Sequence, residues 1–449
     1  MMSMRLSEAA SVLDGQMSGS DVDFMGISTD TRTLSEGALF FALQGPNFDG
    51  HAYVETARER GAAAAAVSEP CNTLLPRITV TDTRLALGQL SADWRRRFQL
   101  PVIGITGSNG KTSVRAMTSA ILARCGRTLS TQGNLNNDIG LPLTLARLSP
   151  DDRFAILEMG ANHHGEIDYL AGIARPTIAV ITNAGPAHLE GFGDVAGVAR
   201  AKGELFARLD SDGVAIINAD DTYAPLWREL SAHCRRIEFG LDADCAVTAE
   251  WSGDAGGSDV TLYTPEGETR FRLPLPGRHN VMNALAASAA AQAAGAGLED
   301  IRTGLAGLVP VAGRFNIHHL PGDITVIDDT YNANPGSLQV ALDVLGMAGG
   351  TTWLVLGDMG ELGEESTALH AAAGRGAREV GVERVFTLGE LAKAAADSFG
   401  RQGESFSSLD ALVDALTGKL QGPLHILVKG SRRMRMERVV EALLSWRGV

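Results

Sequence analysis

The chain has 449 residues and a formal net charge of −14, with 45% hydrophobic and 20% charged residues. Two or three domains are expected at this length, and the negative charge argues against nucleic acid as a partner. The four cysteines lack a metal-binding or disulfide spacing, and no stretch suits a signal segment or a membrane span. We therefore expect a soluble, cytoplasmic protein.

The first predicted unit covers residues 1–82. Short strands such as ALFFAL and RITVTD surround an alanine-rich segment from Tyr53 to Ala66. The high helix propensity of alanine predicts that this segment is a helix. The following helix, LALGQLSADWRRRFQL, leads into a new strand and places a boundary near residue 83.

Two further units show strands alternating with helices. The strands VIGIT, FAILEM, TIAVIT and GVAIIN lie in a second unit, residues 83–313. The strands ITVID, TTWLVLG, RVFTLG and LHILVKG lie in a third unit, residues 314–449. Such alternation is typical of parallel sheets covered by helices. The sequence thus predicts an α/β protein of three domains.

The segment GITGSNGKTS, residues 104–113, joins a predicted strand to a predicted helix. Backbone amides from Gly107 to Gly110 and the start of the helix are suited to phosphate oxygens. Lys111 would neutralise phosphate charge, and the Thr112 hydroxyl would bind Mg²⁺. A strict phosphate loop has glycine where this chain has Ile105, so a chance glycine turn is the alternative.

Glu158 and His188 follow two neighbouring apolar strands. Ligands of an open parallel sheet bind at the carboxyl ends of its strands, where both side chains are expected. A cation that bridges ATP phosphates would accept the Glu158 carboxylate readily, and His188 less commonly. Alone, the two would be interpreted as a solvated loop acid and a surface histidine.

Three polar residues on predicted helices complete the candidate set. Lys202 lies in GVARAKGELFARL, where a lone lysine is normally a surface residue. Asn280 and Asn283 share one helix face, since they are three residues apart, and could bind an adenine edge. N-capping by Asn280 is the alternative.

These residues together resemble the Mur ligases and folylpolyglutamate synthetases. The same order of motifs is present along the whole chain: GITGSNGKTS, NLNNDIGLPLTL, LEMGA, NAGPAHLEGFG, AKGELF, HNVMNALAA, GRF, VIDDTYNANPGS and LVKGSR. The segment STDTRTLSEGALFFALQGPNFDGH is similar to the UDP-sugar-binding domain of some Mur ligases. VLGDMGELGEES resembles only the member that adds the last peptide unit, and the Asp-Asn-Pro-Arg motif of diaminopimelate-adding members is absent.

The resemblance implies an N-terminal UDP-binding domain, a central ATPase domain of phosphate-loop type and a C-terminal Rossmann-like domain. It implies nucleotide contacts at Gly107, Ser108, Asn109, Gly110, Lys111, Thr112, Ser113, Asn280, Asn283 and Arg314, with either Asp328 or Asp329 binding the ribose. It implies metal ligands at Thr112, Glu158, His188 and Lys202, and a catalytic set of Lys111, Glu158, His188, Lys202 and Arg314. It implies substrate contacts at Ser28, Thr29, Arg32, Asn136, Asn137, Lys429, Gly430 and Ser431.

The activity implied is ATP-dependent addition of D-alanyl-D-alanine to UDP-N-acetylmuramoyl-tripeptide through an acyl phosphate. ATP and two Mg²⁺ ions are the implied cofactors, with Lys202 carbamylated by CO₂. Another amide-forming ligase of the family would be expected to lack the uridine motif found here. A non-enzymatic nucleotide switch would have no need of Lys202 and His188. The third residue of the tripeptide, diaminopimelate or lysine, stays open.

Overall fold

The structure is a computed structural model that describes residues 1–187, 189–254 and 256–446. Its elements form three successive α/β units, each built around its own sheet. The predicted α/β class is therefore observed. No helix in these ranges is long and apolar enough to cross a membrane.

The N-terminal unit is built around a five-stranded sheet. The unit has nine strands in all, five in this sheet and four in two separate pairs, β1 with β3 and β6 with β7. They are β1 (Ser3–Arg5), β2 (Gln16–Ser18), β3 (Asp23–Met25), β4 (Ile27–Ser28), β5 (Leu39–Phe41), β6 (Gln44–Gly45), β7 (Phe48–Asp49), β8 (Ala64–Val67) and β9 (Arg77–Thr79). Its helices are α1 (Leu6–Val12) and α2 (Val54–Glu59), with a 3₁₀ turn at Gly50–Tyr53. Helix α3 (Thr83–Arg96) follows and packs mainly on the helices Gly140–Leu145 and Glu166–Ala174 of the central unit. The sheet has the order β2-β9-β8-β5-β4, and only β2 is antiparallel to its neighbour.

The prediction that the alanine-rich segment is one helix is wrong, because the second half of the segment forms strand β8. The helix ends before Gly61, which has a φ of 88°. Ala64, Ala65 and Ala66 are fully buried between β5 and β9. Alanine leaves room for elements packed on both faces of the sheet, so tertiary burial outweighs helix propensity here.

The central unit contains a six-stranded parallel sheet. Its strands are β10 (Val102–Thr106), β11 (Thr128–Ser130), β12 (Phe154–Glu158), β13 (Ile178–Ile181), β14 (Val214–Asn218) and β15 (Arg235–Phe239). Its helices are α4 (Lys111–Leu122), α5 (Gly140–Leu145), α6 (Glu166–Ala174), α7 (Leu189–Phe192), α8 (Val195–Ala207), α9 (Ala224–Leu230), α10 (Arg278–Ala293) and α11 (Leu298–Ala306). The order β11-β12-β10-β13-β14-β15 places β10 between β12 and β13. The carboxyl ends of these three strands therefore meet at one edge.

A three-stranded antiparallel sheet follows, which the sequence analysis did not predict. It consists of β16 (Thr248–Asp254), β17 (Gly257–Thr264) and β18 (Gly267–Leu273). Helix α10 packs on this sheet and on α4. The sheet thus supports the helix that carries Asn280 and Asn283.

The C-terminal unit contains a second six-stranded sheet. Its strands are β19 (Asn316–Leu320), β20 (Ile324–Asp329), β21 (Thr351–Gly357), β22 (Arg384–Leu388), β23 (Gly403–Phe406) and β24 (Leu424–Lys429). Its helices are α12 (Pro335–Gly346), α13 (Ser366–Glu379), α14 (Lys393–Phe399), α15 (Leu409–Thr417) and α16 (Glu437–Ser445), with 3₁₀ turns at Gly363–Glu365 and Arg432–Met434. The order is β19-β20-β24-β21-β22-β23, with β19 antiparallel.

Strand β24 lies between β20 and β21, although it is the last strand of the unit in sequence. The strand order therefore reverses there, and a crevice is expected at the carboxyl ends. One apolar core continues from the central into the C-terminal unit, with Leu285 of α10 and Leu345 of α12 both fully buried in it. This shared core holds the two units side by side around the site described next.

Candidate active site

The glycine loop lies between β10 and helix α4, as the sequence predicts. Gly107 and Gly110 have φ values of 147° and 83°, in the region that favours glycine. A Cβ atom on Gly107 would lie only 1.9 Å from Oγ1 of Thr182 at the end of β13. Glycine is therefore required at position 107 by backbone conformation and by close packing.

Two amides of this loop are bound by the neighbouring loop after β13. Ser108 N donates to Asn183 O, and Asn109 N donates to Asn183 Oδ1, both at 3.0 Å. The amides at the start of α4 have no intrahelical partner, as in any helix. An anion would therefore meet the helix end and Gly110 more readily than the amides of Ser108 and Asn109.

The side chain of Lys111 bends back over the glycine loop. Its Nζ donates to Gly107 O at 2.5 Å and lies 3.4 Å from Ser108 O. Burial lowers the pKa of the ammonium, while the carboxylate of Glu158 opposes that shift. The cation is thus held by carbonyl oxygens at the mouth of the loop.

Glu158 is the last residue of β12 and is only 3% exposed, so the solvated loop acid is wrong. Its Oε2 accepts from Thr112 Oγ1 and its Oε1 accepts from Asn136 Nδ2, both at 3.0 Å. Arg115 Nε lies 3.5 Å from Oε2. The predicted metal ligands Thr112 and Glu158 are thus in direct contact.

Lys202 lies on α8 and is 1% exposed, so a surface position is wrong. Its Nζ lies 5.6 Å from the ring centroid of Phe192, and no carboxylate of the described residues forms an ion pair with it. Burial, with a smaller contribution from the charge of Lys111, lowers the pKa of the ammonium to about 7. His188 lies outside the described residues.

Within the described ranges no three His, Cys, Asp or Glu side chains cluster as metal ligands. The predicted set includes only one such residue in those ranges, Glu158. The observation that bears on a metal is therefore the buried Glu158–Thr112 contact, whose oxygen atoms are of the kind that hard cations prefer.

A cavity of about 570 Å³ opens between the central and C-terminal units beside the glycine loop. Its polar lining includes Asn109, Ser113, Asn183, Asp220, Asn280, Asn283, Arg314, Asp329 and Lys429. Two of these were missed by the sequence analysis, Asn183 and Asp220. Both follow the carboxyl end of a parallel strand, β13 and β14, which is the signal that could have identified them.

The two asparagines of α10 face this cavity. Asn280 Nδ2 donates to Pro276 O at 2.8 Å, and Asn283 Nδ2 lies 3.5 Å from Asn280 Oδ1. Gly277, and not Asn280, is the N-cap residue of the helix. The N-capping alternative for Asn280 is therefore wrong.

Arg314 enters the cavity from the junction of the two units. Its guanidinium carbon lies 4.3 Å from the ring centroid of Tyr331. Its Nε is buried and has no hydrogen-bond partner among the described residues. A buried donor without a partner is costly, so a ligand acceptor is expected at this position.

The neighbouring aspartates of β20 differ in position. Asp328 Oδ1 accepts from the backbone amide and the hydroxyl of Thr330, at 3.1 and 2.6 Å. Asp329 lines the cavity and forms a buried ion pair with Lys429, whose Nζ also donates to Asn332 O at 3.0 Å. Lys429 therefore lies on the cavity side of the C-terminal unit.

Gly430 and Ser431 follow Lys429 at the crevice of the C-terminal sheet. Ser431 is 5% exposed, and its Oγ has no hydrogen-bond partner among the described residues. Its backbone amide donates to Asp358 O at 3.0 Å, beyond the end of β21. A ligand could therefore bind the Ser431 hydroxyl, which lies next to a strand end.

The predicted uridine residues lie in the N-terminal unit. Ser28 Oγ donates to Asp30 O at 3.0 Å, and Thr29 lies between them in the chain. Arg32 forms a fork with Asp30, with Nε–Oδ1 at 2.9 Å and Nη2–Oδ2 at 2.7 Å, but stays largely exposed. In the central unit, Asn137 Oδ1 accepts from Gly140 N at 2.8 Å and so stabilises the start of α5.

A group of Asp49, His51 and Ser68 has the arrangement of a hydrolytic triad. The His51 ring lies 2.6 Å from Asp49 Oδ1 through Nδ1 and 3.3 Å from Ser68 Oγ through Nε2. However, Ser68 N donates to the same Nε2 at 3.0 Å and uses its lone pair. This histidine therefore cannot accept a proton from the hydroxyl, and the group stabilises local structure.

Family models match most of the chain. The Mur ligase family catalytic domain matches residues 23–95, the Mur ligase middle domain residues 105–291, and the Mur ligase glutamate ligase domain residues 313–432. The UDP-N-acetylmuramoyl-tripeptide–D-alanyl-D-alanine ligase of Escherichia coli (strain K12) is 44% identical over 448 residues, which cover 99% of both chains.

Solved structures match over the same length. A crystal structure of MurF from Acinetobacter baumannii has a TM-score of 0.93 and 36% identity, covering 99% of this chain and 100% of that chain. MurF ligase from Thermotoga maritima in complex with ADP has a TM-score of 0.84 and 26% identity, covering 94% of this chain and 97% of that chain.

Proposed function

The chain belongs to the Mur ligase family, and we propose that it adds D-alanyl-D-alanine to UDP-N-acetylmuramoyl-tripeptide, giving the pentapeptide precursor of peptidoglycan. The sequence resemblance and the three-domain α/β architecture are confirmed. The observation that carries the proposal is the cavity between the central and C-terminal units, which the glycine loop borders. The volume of this cavity is suited to a ligand of the size of ATP. This agrees with membership of a family of ATP-dependent ligases.

The reaction needs an activated carboxylate. A carboxylate oxygen of the tripeptide attacks the γ-phosphorus of ATP, the bond from that phosphorus to the β–γ bridging oxygen breaks, and ADP leaves. The neutral amine of D-alanyl-D-alanine then attacks the acyl carbon, phosphate leaves, and the nitrogen loses a proton to form the amide. Domain closure would exclude water, which otherwise hydrolyses the acyl phosphate.

The glycine loop and the cavity would bind ATP through predicted residues of the central and C-terminal units. The phosphates would lie against the loop Gly107, Ser108, Asn109 and Gly110 and would accept chiefly from Gly110, Lys111, Thr112, Ser113 and Arg314. Asn280 and Asn283 would meet the base. Lys111 would move from the loop carbonyls to phosphate oxygens, and Arg314 Nε would gain an acceptor, which the described residues do not supply. Asp329, which lines the cavity, is favoured over Asp328 for the ribose.

Two Mg²⁺ ions are proposed to bind beside Glu158. The buried Glu158 carboxylate and the Thr112 hydroxyl supply oxygen ligands, with His188 and Lys202 as the other proposed ligands. The ions, when bound, offset the negative charge on the phosphoryl oxygens. Asn136 and Arg115 orient Glu158 from two sides.

Lys202 is proposed to act as a carbamate. A buried ammonium that has no ion-pair partner in the described part of the chain is costly and would repel a cation. The ammonium first loses a proton, and the neutral amine then attacks the carbon of CO₂. An N–C bond forms, one C–O π bond becomes a carboxylate lone pair and a second proton is released, so that the charge of the side chain changes from +1 to −1 overall. The two new oxygens suit a hard cation.

The remaining contacts belong to the two other substrates. Ser28, Thr29 and Arg32 would bind the uridine nucleotide, and Asn136 and Asn137 the acyl peptide. The acceptor dipeptide would bind at Gly430 and Ser431 of the C-terminal crevice, and Lys429 borders both this crevice and the ATP cavity. We propose 1–82, 83–313 and 314–449 as the domain bounds. We propose the cytoplasm as the location.

Phosphate release with ATP and Mg²⁺ tests this function across a small matrix of UDP-muramoyl peptides and amine acceptors. We expect turnover with a tripeptide and D-alanyl-D-alanine, and none with free diaminopimelate or lysine. Comparing turnover of the tripeptide that ends in diaminopimelate with turnover of the one that ends in lysine shows which third residue the enzyme accepts. Efficient ligation of diaminopimelate to a muramoyl dipeptide would instead identify an earlier step of the pathway.

A further inference from the structure

His370 connects two segments of the C-terminal unit through both of its ring nitrogens. The residue lies on α13 and is fully buried. Nδ1 lies 2.7 Å from Ser366 O, one turn earlier in the helix. Met359 N donates to Nε2 at 2.9 Å from the loop that follows β21.

These two partners determine the protonation state of the ring. A carbonyl oxygen only accepts, so Nδ1 carries a proton, and a backbone amide only donates, so Nε2 carries a lone pair. The imidazole is therefore neutral, with the proton on Nδ1. Burial lowers the pKa of His370. The hydrogen bond to Ser366 O and the charge of Asp358 oppose this shift, and the charge of Arg433 adds to it.

The loop joined to His370 is fixed on its other sides as well. Met359 is fully buried and Leu362 is 4% exposed, so both anchor the loop in the core. Asp358 Oδ1 accepts from Ala392 N at 2.8 Å, and the carboxylate packs so closely that a Cβ on Gly389 would lie 2.4 Å from it. Within the loop, the backbone amide of Met359 is the group that His370 binds.

The same loop touches the proposed acceptor site. Asp358 O accepts from Ser431 N at 3.0 Å. A Cβ atom built on Gly360 would lie 3.9 Å from Ser431 Oγ, the buried hydroxyl without a partner among the described residues. A shift of Met359 would therefore move both neighbours, Asp358 and Gly360, against Ser431.

We propose that His370 is a positioning residue for the acceptor dipeptide: it holds the loop 358–362 against Ser431 through the Met359 amide. It contacts no substrate itself. This inference rests on the proposed function, because it assumes that the dipeptide binds beside Ser431. Its effect should fall on acceptor binding, since the glycine loop and Glu158 lie in another unit.

Two substitutions test the inference. His370→Leu fills the buried position with an apolar side chain and removes both hydrogen bonds. In His370→Gln, the new side-chain Oε1 can still accept from the Met359 amide. We expect His370→Leu to raise the KM for D-alanyl-D-alanine at least about fivefold, the effect of about 1 kcal/mol. The KM values for ATP and for the acyl substrate should not change, and His370→Gln should recover most of the loss.

Amide hydrogen exchange provides an independent measurement on the full chain. The Met359 amide should exchange slowly in the wild type and in His370→Gln, and faster in His370→Leu. His319→Leu, on the exposed side of β19, is the control and should change neither quantity.

An unchanged KM for the dipeptide in folded His370→Leu would overturn the inference. An equal increase in the KM values for the dipeptide, ATP and the acyl substrate would overturn it as well. If His370→Leu does not fold, His370→Gln decides alone, because a Met359 amide that exchanges as fast as exposed amides would contradict the proposed contact. A wild-type enzyme that ignores D-alanyl-D-alanine would contradict the proposed function instead.

Discussion

Asn334 Nδ2 donates to Asn109 Oδ1 at 2.8 Å, and this hydrogen bond joins residues that are 225 positions apart in the chain. Asn109 belongs to the glycine loop of the central unit, and Asn334 is the N-cap of α12 in the C-terminal unit. The position of the C-terminal unit is thus coupled directly to the loop that is proposed to bind phosphate. A closure that moves one unit would act on this contact.

Replacing Asn334 with serine should weaken ATP binding without unfolding α12. Serine still caps the helix by accepting from Ser337 N, which Asn334 Oδ1 now does at 2.8 Å, but it is too short to reach Asn109. We expect the KM for ATP to rise about two- to tenfold, the range for one hydrogen bond of about 0.5–1.5 kcal/mol. Adding Asn109→Ala should cause little further loss, and fully additive effects would show that the contact has no role.

Lys111→Ala should abolish phosphate release and leave the fold intact. The position of the backbone amides at the start of α4 does not depend on this side chain. The stabilisation of the negative charge on the γ-phosphate does depend on it. Removal of one such group costs about 10²–10³-fold in rate. Circular dichroism would check the fold, and Lys393→Ala, an exposed lysine on α14, serves as the control. Near wild-type phosphate release would make the phosphate-loop interpretation wrong.

Lys202→Ala should strongly reduce turnover while ATP still binds at the glycine loop. The substitution removes the proposed carbamate and leaves a space in which acetate could supply two carboxylate oxygens. We therefore expect partial recovery of activity with added acetate. Arg200→Ala on the same helix should stay active, because Arg200 is exposed and its ion pair is with another exposed residue, Asp194. Intact-mass data that show a free amine in the active, metal-loaded enzyme would contradict the carbamate.

The stability of the C-terminal unit should fall in mild acid because His370 is buried in its neutral form. Its folded-state pKa is lowered from the ordinary 6.5, so below about pH 6.5 the unfolded chain binds a proton that the folded chain does not. Its contribution is complete above that pH and decreases as the pH falls. The free energy of unfolding in urea, measured for the wild type and for His370→Gln, should therefore differ less at pH 5.5 than at pH 7.5. A difference independent of pH would show that His370 does not titrate on unfolding.

The sequence by itself determined the order of the main strands and the location of the glycine loop. Runs such as VIGIT and LHILVKG are apolar throughout because a parallel sheet is buried on both faces, and the pattern is therefore local. Glycine, lysine and threonine at 107–112 identify their chemistry through their spacing alone. The family resemblance, which depends on the same short motifs, was also available without coordinates.

Only the tertiary structure decided which of these side chains are buried and what they contact. The alanines at 64–66 form a strand because two neighbouring strands enclose them, a property that propensity does not contain. Lys202 is buried and Arg32 is exposed, although each lies in a polar-looking segment. The contacts Asn334–Asn109 and Met359–His370 depend on chain segments that meet only after folding, and no local pattern in the sequence encodes such meetings.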